Sequence, residues 1–159
     1  MRKVFISTVI LSFVFAFSWA NTETKGFSSI FEALANPKRS QVDFDLDPLR
    51  KPEKVLQFFE VSPDMKVLDV FAGGGYYTEI LSYLVGEGGH VTMYNHSLWY
   101  PYFESESKTR LANNRLTNVS LTTQDVNNTV FNKEHFDVAV IILGLHDLYL
   151  EGQTAIVTG

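Results

Sequence analysis

A segment near the middle of the chain dictates how the rest can fold. It reads Val67-Leu68-Asp69-Val70-Phe71-Ala72-Gly73-Gly74-Gly75-Tyr76-Tyr77-Thr78-Glu79-Ile80-Leu81. An apolar run carrying one acid is followed by three consecutive glycines, then by apolar residues at helical spacing. The order is strand, turn, helix. Glycines let a backbone approach a ligand closely, and the N-terminus of the following helix presents free N–H groups. A doubly wound α/β domain begins its nucleotide site in this way. A plain βα turn without a ligand is the competing reading. Three glycines in succession carry a backbone-entropy cost that such a turn does not require, which favours the ligand loop.

The flanking sequence supplies the remaining units. Phe27, Ile30, Phe31 and Leu34 share one helical face, and Asn36-Pro37 is a stop. From Ser40 to Pro52 the chain carries Asp43, Asp45 and Asp47 with two prolines, which predicts an extended arm. Pro52 opens a helix, as proline does in a first turn, with Val55, Leu56 and Phe59 on one face. Ser62-Pro63-Asp64 is a turn, and Lys66 to Phe71 is a buried strand. A second helix is expected from Tyr76 to Val85, closed by the glycines after it. His90 to Asn95 is a second strand, and Trp99, Tyr100, Tyr102 and Phe103 mark an aromatic loop. Helical composition runs from Glu104 to Leu116, and Val119 to Thr123 alternates like a third strand. Phe136 to Leu145 is expected to be a fully buried strand of the parallel-sheet type. Right-handed crossovers place these strands in one parallel sheet whose ligands sit beyond the strands' carboxyl ends. There the glycine turn, Asn95, Asp125 and His146-Asp147 converge.

Composition narrows the partners. The formal net charge is −5 and no basic stripe is visible, so nucleic acid is a poor partner. The absence of cysteine excludes disulfides and thiolate chemistry, and four scattered histidines show no metal spacing. At the N-terminus, Arg2 and Lys3 precede an apolar run to Phe17 and then Ser18-Trp19-Ala20. This predicts a signal peptide cut after Ala20, a periplasmic or secreted protein, and no stable membrane anchor after cleavage. The run is shorter than the roughly 20 apolar residues of a membrane span. The expected organisation is therefore signal peptide 1–20, an arm with a short helix 21–51, an α/β domain 52–150 and a tail 151–159.

The choice of nucleotide rests on two positions. A dinucleotide fingerprint needs glycine or alanine where Thr78 stands, and an acid at the end of the second strand where Asn95 stands. Both count against NAD. The acid lies inside the first strand instead, at Asp69. With Asp69-Val70-Phe71-Ala72-Gly73-Gly74-Gly75, the sequence resembles class I S-adenosylmethionine-dependent methyltransferases. With Pro63-Asp64-Met65-Lys66-Val67 before it, Arg50 to Phe59 upstream and Leu145-His146-Asp147-Leu148-Tyr149 downstream, it looks like a bacterial group of exported methyltransferases. The resemblance covers about Pro48 to Tyr149.

The resemblance implies a Rossmann-like methyltransferase fold, S-adenosylmethionine as cofactor and a small-molecule acceptor. Asp69 would organise the loop and meet the amino-acid part of the cofactor. Phe71, Ala72, Gly73, Gly74 and Gly75 would pass beneath it, Asn95 would hold the ribose hydroxyls, and Asp125 with Val126 would meet the adenine. His146 and Asp147 sit where the acceptor would meet the cofactor, and a histidine there suits a general base. Each position also has a plainer reading: Asp69 as a local cap, Asn95 and Asp125 as strand-end turn residues, His146-Asp147 as a loop pair, the aromatic cluster as packing. Two departures stand out. Phe71 occupies the first glycine position of the motif, which predicts a less open loop. The family also continues with further strands, and the tail does not resemble that continuation. The reading therefore expects a sheet truncated after about four strands, whose uncovered edge invites self-association. A non-catalytic S-adenosylmethionine-binding protein, or an inactive fragment, is the alternative to an active enzyme.

Overall fold

The structure is a computed structural model, and it describes residues 29–128, 131 and 135–145. The predicted signal segment 1–20, His146, Asp147 and the tail 151–159 lie outside these residues. Residues 29–34 form helix α1. Then follow α2 (Gln41–Arg50), α3 (Pro52–Phe58), β1 (Lys66–Val70), α4 (Tyr76–Val85), β2 (His90–His96), α5 (Tyr100–Leu111), β3 (Val119–Gln124) and β4 (Val138–Ile141).

The four strands form one sheet in the order β3-β2-β1-β4, with every pairing parallel. Asp69 lies in register with Met93 of β2 on one side and Val140 of β4 on the other. The chain steps outward from β1 to β2 to β3, then returns across β1 to place β4. The direction of winding reverses between β1 and β4. In open α/β sheets a crevice for ligands opens at that reversal. The glycine turn leaves β1 at this point.

The core lies where α4 meets the sheet. Leu56, Val67, Ile80, Leu81, Val85, Val91, Met93 and Val140 are fully buried. Ile30, Ala33 and Val61 join the same cluster, with Leu46, Val55 and Phe59 packed against it. The segments before β1 are thus part of the domain's core.

Four expectations need correction. Ser40 to Pro52 is helical over Gln41–Arg50 and not extended. The Ser40 hydroxyl caps it by accepting from the Asp43 N–H at 3.1 Å, and Asp43 suits the positive end of the helix dipole. Ion pairs to distant residues then hold the helix in spite of Pro48 inside it. The aromatic segment after Trp99 is the first turn of α5, with Pro101 at a favoured first-turn position. Helix α5 stops at Leu111 because Asn113 and Asn114 take left-handed backbone at φ 56° and 53°. Finally, β4 spans only Val138–Ile141. It is not fully buried: Val140 is, Ala139 and Ile141 are exposed, and among the described residues its one strand neighbour is β1.

Candidate functional site

The glycine turn is built from positive-φ backbone. Gly73 has φ 60° and Gly75 φ 88°, a region that glycine enters without strain. At Gly75 there is also no room. A Cβ would lie 3.0 Å from Arg110 Cδ and Met93 Cε. Phe71 adopts φ 57° without being glycine. The backbone therefore follows the path of the motif's first glycine, at a cost on the order of 1 kcal/mol. Its ring is held between Trp99 at 5.4 Å and Tyr94 at 5.8 Å, contacts that offset the strain. Ala72 donates to the Tyr94 carbonyl at 3.1 Å, which ties the turn to the end of β2.

Side chains fix the turn from one flank. The Asn95 amide spans Gly73: its Oδ1 accepts from the Gly73 N–H at 2.8 Å and its Nδ2 donates to the Gly73 carbonyl at 2.9 Å. Ser107 Oγ shares its one proton between the Phe103 carbonyl at 2.8 Å and the same Gly73 carbonyl at 3.2 Å. Arg110 Nε donates to the Gly74 carbonyl at 2.8 Å. Among the described residues no side chain caps the N-terminus of α4, whose N-cap is Gly75 itself.

Arg110 is the hub behind this flank. It is buried and donates to both oxygens of Asp43 on α2, at 2.6 and 3.1 Å. It also reaches Glu79 on α4 at 2.5 Å and Glu106 at 3.1 Å. Glu79 in turn accepts from Arg115 at 2.5 Å and from the Tyr83 hydroxyl at 2.9 Å. Burial works against the Arg110 charge, but the paired Asp43 and Glu79 carboxylates outweigh it and hold the guanidinium above its ordinary pKa. Burial likewise opposes ionisation of Asp43, and Arg110 reverses that, leaving its pKa lowered. A second bridge joins α2 to the helix start: Asp47 binds Arg39 at 2.6 Å and accepts from the Tyr76 hydroxyl.

Asp69 is of the opposite kind. It is buried at the strand's end and accepts from Thr78 Oγ1 at 2.6 Å. No ion pair neutralises it among the described residues. Desolvation pushes its carboxyl up to about 7, with the Thr78 hydrogen bond opposing. A buried acid with no cation of its own, directly before two positive-φ glycines and an uncapped helix, fits a ligand that brings a positive charge. The sulfonium and ammonium groups of S-adenosylmethionine meet that requirement.

On the far side, at the ends of β2 and β3, His96 is buried. Its Nδ1 accepts from the Leu98 N–H at 3.2 Å, and its ring lies 5.0 Å from that of Trp99. Among the described residues its Nε2 makes no hydrogen bond, and it sits 3.5 Å from Asp125 Oδ2. Asp125 Oδ1 accepts from the Asn127 N–H at 2.8 Å, at the head of the short turn Val126–Asn128.

The structure thus brings Asp69, residues 71–75 and Asn95 into one cluster, with Asp125 and Val126 beyond the next strand ends. His146 and Asp147 are outside the described residues. Asn95 spends its amide on the Gly73 backbone, so here it is a positioning residue for the turn. Sequence reasoning missed Arg110, Glu79, Asp43 and Ser107. Arg110 and Asp43 are 67 residues apart, and only the fold shows that they meet. The one local signal was Ser40 placed three residues before Asp43, a helix-cap spacing. Among the described residues no group of histidines and acids could hold a metal ion.

A parallel sheet in this order, with a glycine turn after an acid-bearing first strand, defines the Rossmann-like fold of S-adenosylmethionine-dependent methyltransferases. A structure titled a SAM-dependent methyltransferase, from Aquifex aeolicus, is similar at a TM-score of 0.55 and 29% identity. The match covers 77% of this chain and 59% of that one. A cyclopropane-fatty-acyl-phospholipid synthase-like protein from Lactobacillus casei shares the fold at a TM-score of 0.50 and 18% identity, over 83% of this chain and 54% of that one. No curated protein matches the chain. Residues 50–145 match the profile of the protein-L-isoaspartate(D-aspartate) O-methyltransferase family. That is well over half of the sequence, and the chain belongs to this family.

Proposed function

We propose that the chain is an S-adenosylmethionine-dependent methyltransferase acting on a small-molecule acceptor. The observation that carries this reading is the uncompensated Asp69 carboxyl set directly before the Gly73–Gly75 turn. S-adenosylmethionine supplies an electrophilic methyl group on a sulfonium centre when bound. Among the described residues, Asp69 is the buried acid that no cationic side chain pairs. Gly73 and Gly75 keep side chains out of the loop, and Asn95, Ser107 and Arg110 hold the loop's carbonyls so that the cradle exists before a ligand arrives. Such pre-positioning is most of what an in-line displacement needs. In this reading His146 and Asp147 remove a proton from an acceptor that carries one.

The family's description names an isoaspartyl protein acceptor, and that acceptor belongs in the test. The assay follows label from methyl-labelled S-adenosylmethionine into a panel of small molecules and an isoaspartyl peptide. Label in a small molecule supports the reading, and label in the peptide alone replaces the acceptor class. Binding without transfer to any member supports the non-catalytic alternative. Asp69→Ala is expected to weaken cofactor binding. A cation drawn to Asp69 favours its ionised form, so affinity should rise about tenfold between pH 6 and pH 8. We further propose export through residues 1–20 to the periplasm or medium, for which N-terminal sequencing of the mature protein should begin at Asn21.

A further inference from the structure

We propose that the groove between α3 and the end of β4 binds a small anionic amphiphile, a carboxylate on an apolar body. The groove has a volume of about 440 Å³, in the range of small-ligand sites. Its apolar wall comes from Phe58 of α3 and Phe59 just after it, facing residues 141–143. Phe58 is 80% exposed and Leu143 66%, so this wall is uncovered. Arg50, Lys51 and Lys54 supply its charge, and among the described residues no carboxylate lines it.

Three cations in one groove run against a chain whose net charge is −5. Asp47 and Glu53 line a neighbouring pocket together with Lys51 and Lys54. Asp47 is taken by Arg39 and Tyr76, and Glu53 accepts from Gln57 at 3.1 Å. Neither Lys51 nor Lys54 forms an ion pair among the described residues. Apolar surface beside unpaired ammonium groups is complementary to a ligand with one negative head and an apolar body.

Two of the groove's lining residues, Arg50 and Leu143, connect it to the flanks of the glycine turn. Arg50 stacks over the Tyr76 ring at 4.4 Å, one residue past Gly75. Leu143 precedes Gly144, which is buried against the Phe71 side chain. On the methyltransferase reading, on which this clause rests, the groove anchors the methyl acceptor beside the cofactor loop.

The test titrates decanoate, decan-1-ol and decyltrimethylammonium, each below its micelle concentration, into the full chain. Decanoate should bind at least about tenfold more tightly than decyltrimethylammonium. The exposed double substitution Lys51→Gln with Lys54→Gln should weaken decanoate about tenfold and leave decan-1-ol within about twofold, with an unchanged melting temperature. Equal decanoate binding by the variant, or equal binding of the cation, would overturn the proposal. So would co-sedimentation with anionic phospholipid vesicles by a protein that ignores decanoate. S-adenosylhomocysteine is titrated into the same samples. Its failure to bind while decanoate behaves as expected would sink the methyltransferase reading and leave the groove standing.

Discussion

The glycine turn has two flanks built on opposite principles. Toward α2 and α5 it is gripped by buried polar groups: Asn95 on Gly73, Arg110 on Gly74, and Asp43 and Glu79 on Arg110. Toward β4 it meets Phe71, Gly144 and an apolar wall left open to solvent. The first flank is costly to disturb, because each buried charge depends on its partner. The second tolerates change, because little there is buried. A loop that must hold a cofactor in one geometry is served by the first arrangement, and an opening through which an acceptor enters is served by the second.

The contrast can be broken from its rigid side. Arg110→Met would strand Asp43 in the interior and leave Glu79 with Arg115 as its remaining cation, with an expected loss of about 3–5 kcal/mol. Urea denaturation reads it directly, and a loss below about 1 kcal/mol would mean that the network is ornamental. Next is Asp69. Its folded pKa lies near 7, above the ordinary carboxylate value, so the folded state binds more protons than the unfolded state between them. Stability should fall as pH rises from about 4 to about 7, by as much as about 4 kcal/mol, and stay reduced above that. Asp69→Asn should remove this slope, and parallel pH–stability curves for both proteins would refute it.

Smaller effects separate the glycines. Gly75→Ala adds strained backbone and a crowded Cβ beside Arg110, for about 2–3 kcal/mol. Gly73→Ala meets only ordinary contacts with Phe103 at 3.6 Å, and its backbone penalty is about 1 kcal/mol. Thermal melts rank the two, and the reverse order would contradict the crowding at Gly75. On the open flank, Phe58→Ser should change stability by no more than about 0.5 kcal/mol while weakening decanoate binding. A large loss of stability there would erase the difference between the flanks.

The sequence disclosed these flanks unequally. Strand β1, the turn and α4 were legible because apolar runs, glycines and helical spacing are local signals, and Tyr76–Val85 matches its expected bounds. Helix α2 was not, because three aspartates and Pro48 discourage a helix locally. Its stability comes from Arg110 and Arg39, which proximity in the fold supplies. Strand β4 looked central from its apolar run, but periodicity does not reveal how many strands flank it. Asn95 was correctly placed at a strand end, yet its contact with Gly73 depends on how β2 and the turn meet in space. At Phe71 the sequence suggested a narrowed loop, whereas the backbone keeps the glycine-like path and turns the ring aside.

The Asp69–Gly75 cradle is the part of the molecule that must hold the methyl donor if the chain is a methyltransferase. Calorimetric titration of S-adenosylhomocysteine into the purified chain tests this with no acceptor needed. One-to-one binding that Asp69→Ala weakens, in a variant that still melts cooperatively, is the predicted result. A folded wild-type protein giving no heat and no thermal shift at millimolar ligand would contradict it.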